Sequence, residues 1–159
     1  SAGLTMVRSI ILFTVSLSLV HGQVSSREDH SRLADSLLKK TFPFSQKILH
    51  KAPSPFFKGR PYTLEVFVGL AQDSVEYVSL FFKTDTFIKY REMPLEQYRG
   101  RLRFKYDPQV YPGDELQYFF IAVVKNGGIY AAPVNRDGRL TPVKIRPVDP
   151  MKYYENLIR

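Results

Sequence analysis

The chain has 159 residues, 44% hydrophobic and 14% aromatic, enough for one domain with a real core and too little for two comfortable ones. Its 23 Lys and Arg against 15 Asp and Glu give a formal charge of +8, which favours anionic partners. There is no cysteine, and this excludes disulfides, thiolate metal sites, cysteine nucleophiles and lipidation at an N-terminal cysteine.

Met6-Val7-Arg8 precedes an apolar segment from Ile10 to Val20, followed by His21-Gly22-Gln23. A basic start, a short apolar run and a small residue beyond it are the pattern of a secretory signal peptide. Residues 1–22 are therefore read as a signal with upstream residues, cleaved before Gln23. The run is shorter than the roughly 20 residues that span a bilayer, which makes an uncleaved membrane anchor the weaker reading. Export implies a periplasmic, cell-envelope or secreted location, and it argues against nucleic acid as the anion.

Residues 23–61 read as a helix and an arm. Ser25-Ser26-Arg27-Glu28-Asp29 offers overlapping capping boxes, and Leu33, Ala34, Leu37 and Leu38 follow at helical spacing. This predicts a short helix from about Arg27 to Lys40, which needs something to dock on. From Thr41 to Pro61, Pro43, Pro53, Pro55 and Pro61 stand among Phe42, Phe44, Ile48, Phe56 and Phe57, the composition of an extended arm with aromatic anchors.

From Tyr62 onward, strand patterns alternate with turns. Tyr62 to Leu70, Val75 to Lys83, Phe87 to Met93 and Arg99 to Tyr106 are predicted strands. Tyr111-Pro112-Gly113-Asp114 turns the chain into Glu115 to Lys125, the longest apolar run, and Asn126-Gly127-Gly128 turns it into Ile129 to Ala132. Asn135-Arg136-Asp137-Gly138 precedes a last strand, Thr141 to Val148. Asp149-Pro150 resembles a helix start, so residues 149–159 form a short C-terminal helix or tail. Strands at intervals near ten residues without intervening helices predict an all-β antiparallel sandwich over residues 62–148.

Val110 to Ala122, with its Pro-Gly turn, Leu116 and Tyr118, resembles the turn and penultimate strand of fibronectin type III and related early-set immunoglobulin-like domains of exported bacterial proteins. Val78 to Lys83 is similar to their central strand. The resemblance covers residues 62–147 and implies an immunoglobulin-like β-sandwich in which Tyr118 is the corner tyrosine, its hydroxyl tied to the preceding turn backbone. The chain departs from those domains in having no Trp.

Two features are candidate binding surfaces. Arg99, Arg101, Arg103 and Lys105 alternate with Gly100, Leu102, Phe104 and Tyr106, so one strand face would carry four like charges, either as a solvated cover or as a site for an anionic glycan, lipid surface or acidic protein. On Glu115 to Lys125 both faces are apolar. The outer set of Phe119, Ile121 and Val123, with Phe81 of the neighbouring strand, needs a cover. That cover is either the chain's own helix and arm, with Phe42, Phe44, Phe56 and Phe57, or another protein subunit.

Catalysis finds little support. The expected mature chain keeps only His30 and His50, both outside the predicted sandwich, and its carboxylates are scattered. No catalytic, metal or cofactor-binding residues are assigned. The sequence thus points to a non-enzymatic exported accessory or structural subunit in an envelope or extracellular assembly, the alternative being a binding module for an anionic glycan or envelope polymer.

Overall fold

The computed structural model describes the backbone of residues 18–159 and side chains from residue 28 onward. The expected signal segment lies outside the described residues as far as residue 17. Helix α1 (Ser18–Lys39) begins ahead of the expected Arg27 and runs through the expected cleavage position at Gln23. After it come β1 (Ile48–His50), β2 (Tyr62–Val68), β3 (Val75–Thr84), β4 (Arg91–Pro94), β5 (Glu96–Tyr98), β6 (Arg101–Tyr106), β7 (Leu116–Val124), β8 (Ile129–Ala132), β9 (Val143–Ile145) and α2 (Pro150–Leu157).

The strands form two antiparallel sheets packed face to face. The first has the order β1-β2-β6-β5 and the second β4-β3-β7-β8, with β9 also on β7. The axis of the second sheet is the long β3–β7 pairing, which sets Leu80 opposite Phe120, Phe81 opposite Phe119 and Phe82 opposite Tyr118. Because side chains alternate, Leu80, Phe82, Tyr118 and Phe120 enter the core between the sheets, where they meet Leu64 and Val66 of β2. Phe81, Phe119 and Ile121 face the other way.

The segment expected to be an arm is stitched into the fold. Ile48 to His50 pairs with β2 as the edge strand of the first sheet, which the proline-rich composition had concealed. Thr41 bridges Arg139, and Phe57 bridges Val148. The first of these contacts depends on a hairpin that interrupts the last strand. β8 pairs with the C-terminal half of β7 and β9 with its N-terminal half. Between them the chain leaves the sheet, closed by Val134 opposite Leu140 and by Gly138 N donating to Asn135 O at 3.0 Å. Pro142 and Pro147 flank β9 and shorten it from the expected Thr141–Val148, since neither can donate to a ladder. Phe42 N then donates to Gly138 O at 2.8 Å. Gly138 has φ +75 and no room for a Cβ, which would strike the Phe42 carbonyl.

Two further expectations need correction. The strand predicted at Phe87 to Met93 starts only at Arg91, because Thr84 Oγ1 accepts from Phe87 N to close a turn and Tyr90 is drawn into the cover of the second sheet. The strand predicted from Arg99 to Tyr106 is the second half of a hairpin. Tyr98 pairs with Arg101, and the two residues between them, Arg99 (φ 48) and Gly100 (φ 75), are both left-handed, as a type I′ turn requires. The expected start at Asp149-Pro150 holds: Asp149 Oδ1 accepts from Met151 N at 2.9 Å as the N-cap of α2.

Candidate functional site

The two sheets differ in what lies over their outer faces. On the second sheet, Ala34 and Leu37 of α1, Phe42 and Leu140 bury Phe81, Phe119 and Ile121 to 3% exposure or less, with Tyr90 closing one side. Phe81 and Phe119 stack with centroids 5.1 Å apart and planes 6° from parallel, and Tyr90 meets Phe119 edge-on at 5.3 Å. Ala34, fully buried, lets the helix come close to these rings. Glu28 reaches Lys89 at 3.9 Å and His30 reaches Glu92 at 3.8 Å along the helix's polar rim. At roughly 1.5–3 kcal/mol for each large side chain removed from water, this second core outweighs its few surface ion pairs.

The interface expected at Phe81, Phe119, Ile121 and Val123 is therefore not open to a partner: the chain covers it with its own helix and Phe42. Phe56 is also internal, in the core between the sheets. Phe57 is half-buried beside Tyr153 and Tyr154 of α2, with Arg60 over its ring. Of the arm's aromatic anchors only Phe44 stands exposed. On α2, Met151, Tyr154 and Leu157 are exposed as well, and the helix buries no residue.

The outer face of the first sheet has no such cover among the described residues. Here β6 presents Arg101, Arg103 and Lys105 on one side, as the alternation predicted, while Leu102, Phe104 and Tyr106 pack toward the core. Arg99 leaves the ladder for the hairpin tip. The charges are partly matched: Arg101 Nη1 donates to Glu65 Oε2 at 3.1 Å, and Arg103 Nε lies 3.5 Å from Glu96 Oε2. The Arg103 guanidinium also sits 3.9 Å from the Tyr98 ring centroid. Lys105 stands opposite Thr63. Next to this basic strip, Leu49 of β1 pairs with Phe67 of β2, and both are about half exposed. A shallow groove of about 910 Å³ runs over this region, touching Leu49, Thr63, Glu65, Phe67 and Arg101. Sequence reasoning missed the Leu49–Phe67 pair because Leu49 lay in a segment read as an arm.

A second concavity, about 690 Å³, opens at the end of the sandwich beside the β5–β6 hairpin, with Val78, Leu95 and Leu102 among its walls. No sequence signal marked it, since its residues come from two stretches of chain, 68–78 and 94–102, that only the fold brings together.

His50 is the one described histidine inside the sandwich. Its Nδ1 donates to the Glu65 carbonyl at 2.6 Å, and the Tyr118 hydroxyl donates to Nε2 at 2.6 Å. A carbonyl can only accept, so the proton of a neutral ring sits on Nδ1. Burial lowers the His50 pKa against the raising effect of that carbonyl. Burial also raises the Tyr118 hydroxyl well above its ordinary range and pushes Tyr90 up to about 12. Tyr118 thus spends its hydroxyl on a histidine across the core rather than on the preceding turn. The tie to the turn is made by Tyr106, whose hydroxyl donates to Tyr111 O at 2.7 Å. Among the described residues no three of His, Asp and Glu gather in a way that could hold a metal ion, and no described helix is long and apolar enough to cross a membrane.

No protein-family model matches the chain, and no curated protein matches it.

Proposed function

We propose that the chain is a non-enzymatic, exported interaction subunit, an immunoglobulin-like sandwich that binds another protein through the outer face of its first sheet. The observation that carries this reading is the asymmetry of the two outer faces. One is sealed by α1 and Phe42. The other exposes the Leu49–Phe67 pair beside Tyr98, Arg101 and Arg103. Protein interfaces favour an apolar centre with aromatic and arginine residues around it. A site for a polyanion favours unmatched bases, and here Glu65 and Glu96 stand among the arginines. The immunoglobulin-like assignment is supported by the order β1-β2-β6-β5 facing β4-β3-β7-β8, which matches four strands ABED against C and its neighbours F and G. Export is supported by the apolar segment from Ile10 to Val20 behind Arg8.

A photoreactive residue placed at Thr63, on this face, should crosslink one defined protein in the native envelope, and the same residue at Lys144, on β9, should not. Leu49→Asp with Phe67→Asp should abolish the Thr63 adduct. An adduct from Lys144 alone would overturn the reading. Retention on an anionic glycan resin that Arg101→Glu with Arg103→Glu removes would instead support the polymer-binding alternative.

A further inference from the structure

The cleft of about 690 Å³ at the end of the sandwich has the size of a small-molecule site, for which roughly 300–1,000 Å³ is usual. Its walls include Val68, Leu70, Val78, Leu95 and Leu102, all half-buried, the last three packed against the main core. They form the apolar part of the lining, beside the polar side chains of Gln72, Glu76, Gln97, Arg99 and Arg101. At the mouth, Gln72 Nε2 and Gln97 Oε1 stand 3.4 Å apart.

The lip carries Arg99. It is the only non-glycine residue with positive φ among the described residues, a conformation that costs a side chain energy and that an Asn or Gly would adopt more readily. Its guanidinium lies 5.1 Å from the Tyr98 ring centroid, and among the described residues it has no carboxylate within ion-pair distance. Arg101, the other base lining the cleft, is occupied by Glu65 at 3.1 Å. Glu76, Tyr77 and Tyr98 complete the titratable groups that face the space.

We propose that this cleft binds the chain of a single-chain anionic amphiphile, a fatty-acid carboxylate, with its head group at Arg99. The aliphatic part of the lining, Val68, Leu70, Val78, Leu95 and Leu102, suits a methylene chain better than a sugar, whose hydroxyls would lose water against it without gaining partners. A methylene chain loses nothing against these side chains, and the Arg99 guanidinium at the opening, without an ion-pair partner among the described residues, supplies the charge for a carboxylate. Glu76 disfavours a second negative charge, so a monoanion fits better than a phosphate.

Isothermal titration of the full chain with octanoate, decanoate and dodecanoate, each below its micellar concentration, tests this directly. Saturable one-to-one binding is expected, with affinity rising about fourfold per methylene until the cleft is full. Dodecyltrimethylammonium, with the same chain and the opposite charge, should bind more weakly. Arg99→Glu, at an exposed turn, should weaken dodecanoate about tenfold or more and remove the preference for the anion. Leu95→Trp should block the chain, its folding checked by far-ultraviolet circular dichroism. Should that variant misfold, Arg99→Glu and the charge comparison still decide. Absence of saturable binding, equal affinity for the anion and the cation, or dodecanoate binding unchanged by Arg99→Glu would each overturn the proposal.

Discussion

The Tyr118 hydroxyl donates to His50 Nε2 across 2.6 Å, joining the central strand of one sheet to the edge strand of the other through the core. This bond needs an imidazole without a proton on Nε2. Burial holds His50 below its ordinary value of 6.5. Between pH 6.5 and that lower value the unfolded chain binds more protons than the folded one, so the stabilisation is complete above pH 6.5 and is lost as pH falls through the folded value. Melting temperature should therefore drop on acidification from about pH 7.5 to about pH 5. In His50→Gln, which keeps a donor and an acceptor without the titration, the drop should be smaller. An identical slope in both proteins would exclude His50 as its source.

Ala34 of α1 is fully buried in the cluster that covers Phe81, Phe119 and Ile121 of the second sheet. Ala34→Glu should lift the helix and uncover Phe81, Phe119 and Ile121 while the core between the sheets persists. Binding of a hydrophobic dye should rise, and the strand signal in circular dichroism should remain. Leu37→Ala, a milder change, should cost about 2–5 kcal/mol in urea unfolding.

Gly138→Ala removes both the left-handed freedom and the space that the Phe42 carbonyl needs. A loss of roughly 1–3 kcal/mol is expected, from strain and from displacement of the Phe42–Gly138 hydrogen bond. Trypsin should then cut sooner at Lys39 and Lys40, just before the released segment, and an unchanged digestion rate would show that Gly138 does not hold it.

Arg99→Asn should raise stability by up to about 1 kcal/mol, because Asn tolerates the first position of a type I′ turn better than Arg. If the same variant also loses fatty-acid binding, the strain and the binding charge belong to one residue. A melting temperature below that of the parent would mean that the stacking of Arg99 on Tyr98 outweighs the backbone strain.

Local signals in the sequence were enough for β2, β3, β7 and β8, for the turn at Asn126-Gly127-Gly128 and for the cap at Asp149. Each depends on neighbours a few residues away, through alternation, φ preference or a side chain reaching its own backbone. The same signals misjudged Tyr98 to Tyr106. The alternation of Arg and apolar residues continues across Arg99-Gly100, and only the pairing of Tyr98 with Arg101 exposes a turn there. A glycine at the second loop position was the signal that could have marked it.

By itself, then, the sequence determined that β7 is apolar on both faces and that something must cover the outer one, because period two and composition require it. Only the tertiary structure decided that α1 and Phe42 provide the cover, which moves the open surface to Leu49, Phe67 and the arginines of the first sheet. That choice rests on the Phe42–Gly138 hydrogen bond and on Ala34 lying against the second sheet, contacts between segments far apart in the chain. Local periodicity states which faces are apolar, whereas their partners depend on where the whole chain returns.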